Sequence, residues 1–240
     1  IESFDPLHLM ISEGHSVAGN DNMIGGYTDN VPQNVEFYQI DCCDLENMTK
    51  AMEGCDVVYH TAATAYEGLS VFSPVLVTRN IFEASVATIT AAIRNKVKRI
   101  VYCSSMARYG HHDNVPYKED YECRPQDPYG IAKKAGEDVL INLCETHGVE
   151  YVIAVPHNIV GPRQKYDDPF RNVMSIMLNR MLQGKQPIVY GDGEQQRCFS
   201  YIDDCLYCLN ALAFQDNVVG EVINIGPDEE PVTINELAEA

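Results

Sequence analysis

The chain has 240 residues, 45% of them apolar, which is enough for one substantial core and at most one further small unit. Thirty-five acidic against 17 basic residues leave a net charge of −18, which excludes an extended basic surface for nucleic acid. Nine cysteines, an odd number scattered through apolar segments, fit a reducing compartment better than a disulfide framework, and no run has the length of a membrane span, so a cytoplasmic protein is expected.

Asp5-Pro6 has the form of an N-cap followed by proline in the first helical turn, and the helix it opens is expected to run to Glu13-Gly14-His15. Short apolar runs at 16–19, 35–40, 57–60, 99–103 and 151–155 read as buried strands. Between them, 45–52, 74–95 and 129–147 read as helices, the second rich in alanine and threonine for close packing. Such alternation implies an α/β fold, a parallel sheet wound with helices on both faces. After Gly161-Pro162 the rhythm loosens into a helix at 172–182, a strand at 188–190, a helix at 204–214 and a strand at 222–225. The helix at 172 is expected to open with Phe170, Arg171, Asn172 and Val173. Gly191-Asp192-Gly193 follows a strand but opens no apolar helix, so it reads as a turn. Cys205 and Cys208 have CxxC spacing, yet they sit in an apolar helical run with no second pair, which argues against a metal site.

The segment Tyr129-Gly130-Ile131-Ala132-Lys133 carries the chemistry. Residues four apart share a helix face, so Tyr129 and Lys133 stand one turn from each other. A free tyrosine, with a pKa of about 10, is a poor base at neutral pH. A neighbouring ammonium is expected to pull it toward the working range. Ser104-Ser105, at the end of the 99–103 strand, offer hydroxyls to the same substrate oxygen. His60 reads as a buried strand residue, and His111-His112 lack a completed ligand set.

Several ordered motifs around this segment resemble the extended short-chain dehydrogenase/reductase family, in particular its NAD-dependent nucleotide-sugar epimerase/dehydratase branch, similar to UDP-glucose 4-epimerases. They include Asn20-Asp21-Asn22, Asp41-Cys42 with Asp44, His60-Thr61-Ala62-Ala63, Asn80, Ser104 to Gly110 and Pro128 to Lys133. His157 to Pro162, Gly191 to Arg197, and Asn224-Ile225-Gly226 followed by Thr233 to Leu237 complete the series. The resemblance implies a Rossmann-like doubly wound sheet with NAD as cofactor. Residues 1–160 would form the NAD-binding domain and 161–240 a smaller substrate-binding region interleaved with the sheet. It implies that Tyr129 is the base, that Lys133 binds the nicotinamide ribose, and that Ser105 holds the reacting oxygen. Ser104 is a poorer candidate than Ser105, because one step along a strand end reverses a side chain's direction. Asp21, Asn22, Asp41, Cys42, Thr61, Ala62, Ala63 and Asn80 would line the cofactor. Asn80 has an equal claim as a helix-to-strand hydrogen bond. Asn158, Asn172 and Arg197 would face the nucleotide sugar, with Cys198 where the family usually carries an aspartate. A homodimer is expected, and neither a metal nor a membrane.

The resemblance also leaves pieces without a counterpart. The family's first strand with its glycine-rich loop, and roughly its last quarter, are missing, so the sequence is read as truncated at both ends. A gap is therefore expected between the 16–19 and 57–60 strands. As to reaction, dehydratases of this branch usually place Asp-Glu after the catalytic hydroxyl residue, and its decarboxylases usually keep the glutamate. Met106 and Ala107 stand there and transfer no protons. The expectation is therefore that the full-length parent is a 4-epimerase of UDP-glucose/UDP-galactose or an N-acetyl analogue, this piece of it lacking the pyrophosphate loop. A 4,6-dehydratase or decarboxylase is the alternative, and a non-catalytic dinucleotide-responsive protein is the alternative of another class.

Overall fold

The computed structural model describes residues 5–113, 115–168 and 172–240. In chain order the elements are α1 (Asp5–Ser12), β1 (Ala18–Asn20), β2 (Glu36–Tyr38), α2 (Leu45–Ala51), β3 (Val57–His60), α3 (Glu67–Ser70), α4 (Pro74–Thr78) and α5 (Ala84–Arg94). Then come β4 (Arg99–Cys103), α6 (Pro128–His147), β5 (Glu150–Pro156), β6 (Ile159–Val160), α7 (Val173–Leu182) and β7 (Gln196–Arg197). The last are β8 (Ser200–Tyr201), α8 (Ile202–Phe214), β9 (Val222–Ile225), β10 (Val232–Thr233) and α9 (Ile234–Glu239). The helix expected over 74–95 is continuous in path, but a π-helical turn at Arg79–Glu83 joins α4 to α5. Phe170 and Arg171 lie outside the described residues.

Strands β3, β4, β5 and β9 form a parallel sheet in that order, with β4 and β5 at its centre. Every residue of β4 is buried, and its side chains alternate between two helical layers. Ile100 and Tyr102 meet Ile89, Ala92 and Leu140 of α5 and α6, whereas Val101 and Cys103 meet Cys205, Leu209 and Leu212 of α8. That period of two is why the run at 99–103 carries no polar side chain beyond its first residue. The exception is Arg99, buried to 1%. Its guanidinium donates to the Glu150 carboxylate at 2.9 Å and to the carbonyls of Leu212, Ala213 and Gln215 at 3.3, 2.9 and 2.7 Å. It thereby satisfies the carbonyls at the C-terminal end of α8, where cations are favoured.

Strands β1 and β2 pair in parallel with each other and with no strand of the central sheet. The expected gap between β1 and β3 is present as a cleft of about 770 Å³ walled by α1, β1 and β3. The carboxylate of Asp5 is buried and taken up by Arg163, with N···O of 2.7 Å, in place of the capping role expected of it. The strand expected at 188–190 is not formed. Ile188 and Tyr190 are exposed, and the segment has no ladder partner to satisfy its backbone. The turn at 191–193 is as read, with Gly191 and Gly193 at φ of 71° and 75°.

Helix α6, which carries Tyr129 and Lys133, has well-marked ends. Asp127 caps it by accepting from the Gly130 amide at 2.8 Å, Pro128 opens it, and Gly148 closes it at φ 68°. It lies tightly on the sheet at Gly136, where a Cβ would run into the Tyr102 hydroxyl and crowd its ring. Gly136→Ala should destabilise the fold by about 1–3 kcal/mol, the usual scale of overpacking, although alanine is the better helix former. Urea unfolding checks this as a lower midpoint at unchanged slope. An unchanged or raised midpoint would show that the helix has room to move.

Candidate active site

In a parallel sheet the C-terminal strand ends open together on one side, and ligands of doubly wound folds bind there. Here Asp21-Asn22 follow β1, Asp41-Cys42 follow β2, Thr61 to Thr64 follow β3, Ser104-Ser105 follow β4, and Asn158 follows β5. All of them line one cleft of about 430 Å³, together with Asn80, Tyr129, Lys133 and Asn172. The structure thus brings together every residue expected at the cofactor and substrate sites except Arg197. That side chain stands on β7, exposed, with its guanidinium donating to the Gln196 carbonyl at 2.7 Å. It lies near enough to act electrostatically on Glu67 and His157. Among the described residues no carboxylate is within ion-pair distance of it.

At the far end of the cleft, local turns spend some of the polar groups. Asp21 accepts from the Met23 amide at 2.6 Å and Asn22 from the Ile24 amide at 3.2 Å. Asp41 accepts from the Cys43 amide at 2.9 Å and pairs with Arg79 at 2.9 Å, which holds it below the usual carboxylate range. Cys42 is pushed up to about 11 by burial, so it is a neutral thiol against the cleft wall. Asn80 donates to the Thr64 hydroxyl at 2.9 Å, joining α5's approach to the β3 end. Asn172 caps α7 by accepting from the Ser175 amide at 3.0 Å. Asn158, at φ 39°, donates to the Cys198 carbonyl at 3.0 Å.

At the near end, Tyr129 is buried and shares the cleft lining with Ser105, whose hydroxyl accepts from the Ala107 amide at 3.2 Å. Ser104 is turned the other way, donating to the Glu137 carboxylate. Lys133 is buried, and its ammonium donates to the Cys103 carbonyl at 2.7 Å. Burial lowers the lysine to about 8. The expected effect of Lys133 on the tyrosine is not seen. Burial raises the Tyr129 phenol to about 12, the Glu67 and Asp127 carboxylates add to that, and the nearby Ser105 hydroxyl opposes them. The physical reason is direction: the ammonium is committed to a strand carbonyl and not to the phenol.

Glu67, at the start of α3, is a site residue that the motif reading missed. It lines the cleft with Ser105 and Tyr129, and among the described residues that do so the other carboxylates are Asp21 and Asp41. Desolvation and the Asp127 charge raise it above the ordinary range, while Arg197 works against them. A signal was available, since Glu67 is the sole Asp, Glu, Lys or Arg between Asp56 and Arg79.

A profile described as the NAD dependent epimerase/dehydratase family matches residues 7–226. The chain belongs to this family. It is 32% identical over 95% of its length to a putative UDP-glucose 4-epimerase of Methanocaldococcus jannaschii, spanning 74% of that protein. It is 29% identical over 96% of its length to a UDP-N-acetyl-alpha-D-glucosaminuronate decarboxylase of Bacillus cytotoxicus, spanning 73% of it. Among solved structures, the UDP-glucose 4-epimerase of Thermotoga maritima with UDP-glucose superposes with a TM-score of 0.93 at 29% identity, over 98% of this chain and 76% of that one. The Rossmann-like fold and NAD as cofactor follow from membership. The donor set fits that cofactor at two of its parts, with paired acidic side chains after β1 and β2 for ribose hydroxyls and Tyr129 with Lys133 at the nicotinamide end. The described residues supply no glycine-rich turn for the pyrophosphate. Among them, no group could hold a metal, and no helix is long and apolar enough to cross a membrane.

His60 is buried under this site, with Nε2 2.9 Å from the Ser85 hydroxyl, which itself donates to the Ile81 carbonyl at 2.6 Å. The imidazole therefore donates from Nε2 and is neutral. Burial and the Lys133 charge lower it from 6.5 to about 3. Between those values the unfolded chain binds a proton that the folded one refuses, so this group's contribution to stability rises with pH from about 3 to 6.5 and is lost on acidification. Urea unfolding between pH 4 and 7 should show a shallower acid limb for His60→Gln than for the parent. Parallel limbs would mean that His60 accepts its proton in the folded state.

Proposed function

We propose that this chain acts as an NAD-dependent nucleotide-sugar 4-epimerase on UDP-glucose/UDP-galactose or an N-acetyl analogue. The observation that carries the reading is that Ser105 and Tyr129 border the same cleft, with Met106 and Ala107 following the serine in the chain. Ser105 and Tyr129 are placed to hold and deprotonate one sugar hydroxyl. The two residues after the serine offer no acid or base for eliminating water. The likeness to the Methanocaldococcus and Thermotoga epimerases supports this choice. NAD, when bound, supplies the acceptor and donor for the C4 hydride. The protein's own part is to remove the O4 proton through Tyr129, keep O4 hydrogen-bonded to Ser105 while C4 is a ketone, and return the proton once the hydride has come back to the other face. Lys133, held at the Cys103 carbonyl, borders that end of the cleft, and Asn158 faces the sugar from the β5 side. Arg197 binds the diphosphate. A guanidinium forms paired hydrogen bonds with phosphate oxygens, and among the described residues no carboxylate is within ion-pair distance of this one.

One observation favours a second reading. Glu67 of α3 lines the cleft with Tyr129 and is raised above the ordinary carboxylate range, so a carboxyl group stands on α3 where the serine segment has none. A 4,6-dehydratase would use it.

Given UDP-glucose, the protein should interconvert the C4 epimers with no net consumption of NAD, followed by chromatography of the products. Accumulation of a 4-keto-6-deoxy sugar would replace the epimerase with the dehydratase. Tyr129→Phe should lower turnover by about two to four orders of magnitude, the scale of lost acid–base catalysis, and leave UDP-glucose binding nearly unchanged.

Arg197→Ala should weaken UDP-glucose far more than NAD when both are titrated by calorimetry. Equal losses, or none, would return Arg197 to the exposed surface.

A further inference from the structure

The Ser105 segment is gripped from one helix. Lys133 of α6 donates to the Cys103 carbonyl at 2.7 Å, and one turn on, Glu137 takes the Ser104 hydroxyl on one oxygen. Its other oxygen pairs with Arg108 at 2.9 Å. One turn before Lys133, Gly130 lies so close to the 3-10 turn Met106–Arg108 that a Cβ there would press on the Ala107 carbonyl. Glu137 is wholly buried, and Ser104 and Arg108 nearly so. The guanidinium continues the network, donating to the Tyr109 hydroxyl at 3.1 Å, which donates to Asn224 of β9 at 2.8 Å. The Lys134 ammonium stands 4.0 Å from the oxygen that faces Arg108, and a buried carboxylate without such partners is costly.

Ser104 and Arg108 flank Ser105 on its two sides in the chain, and Glu137 shares the helix face of Tyr129 and Lys133, eight and four residues before it. We infer that Glu137 is a positioning residue, a buried carboxylate that clamps both ends of the Ser105 segment to the helix bearing Tyr129. It sets the distance between the two groups that share the substrate oxygen. Ser104 thus has a task of its own, as the near arm of the clamp. The inference rests on the reading of Ser105 as the hydroxyl that holds this oxygen. A misplacement of about an ångström at a reacting pair lowers rate steeply while leaving remote binding intact.

The test compares Glu137→Gln and Ser104→Ala, each alone and in a Ser105→Ala background, by kcat and KM on UDP-glucose. Alone, each should lower kcat about tenfold with KM within twofold. In the Ser105→Ala background the further loss should be under twofold, because a clamp without its serine positions nothing. Equal losses in both backgrounds would overturn the proposal, since independent effects add. So would a raised KM at unchanged kcat, or no loss. Ser104→Ala keeps the Glu137–Arg108 pair and carries the test if Glu137→Gln fails to fold. Hydrogen exchange gives a second readout without turnover, with amides 105–108 exchanging at least tenfold faster in either variant, and unchanged exchange counts against the clamp. A 4-keto-6-deoxy product would remove the epimerase reading yet leave the kcat comparison valid on that product. Additive losses with normal epimerisation would remove the clamp alone.

Discussion

The hydrogen bond from the buried Lys133 ammonium to the Cys103 carbonyl fixes the end of the central strand to α6, and the cleft is organised around it. A parallel strand ends with a carbonyl that no neighbouring strand need satisfy, and a charged donor from the covering helix meets it at the point where the ligand cleft begins. Because β4 is buried on both faces, this end cannot drift without disturbing two packing layers. Tyr129, one turn back along α6, inherits that fixed position, and so does Ser105, two residues past Cys103. The cost is an ammonium lowered to about 8 by burial and withdrawn from the phenol it was expected to activate.

That withdrawal changes how the base must work. A phenol at about 12 removes few protons at neutral pH, and the groups around it divide unequally. Burial, Glu67 and Asp127 favour the neutral form, and the Ser105 hydroxyl favours the phenolate. A cationic ligand group in the same cleft would act against the carboxylates and raise the phenolate fraction.

The sequence made the strands at 57–60 and 99–103 legible to the residue, because both are short, buried, β-branched or aromatic runs bounded by polar turns. The same holds for α6, whose Asp-Pro opening and glycine close are local signals. The cleft was legible through Tyr129, Lys133 and the strand-end residues, since a parallel sheet gathers such ends without any further information. The strand expected at 188–190 failed for the opposite reason. Its apolar run suited a strand, but strand formation requires a partner, and no local pattern reports one. The direction of the Lys133 ammonium likewise depends on a carbonyl of β4, 30 positions away in the chain.

Glu67 and Glu137 show two kinds of hidden information. Glu67 was marked by its isolation, one charge in a long uncharged stretch, and it stands exposed at the start of a short helix where it borders the cleft. Glu137 was marked by spacing, the third member of a face that already held Tyr129 and Lys133. An amphipathic helix lying on a sheet turns that face inward, so a carboxylate there must be paired or lost. Arg108 and Ser104 pair it, and both belong to the segment that presents Ser105. A buried polar network of this kind is expensive in an otherwise apolar layer, where hydrophobic side chains of similar volume would give comparable stability. Its retention beside the cleft is better explained by what it orients than by what it stabilises.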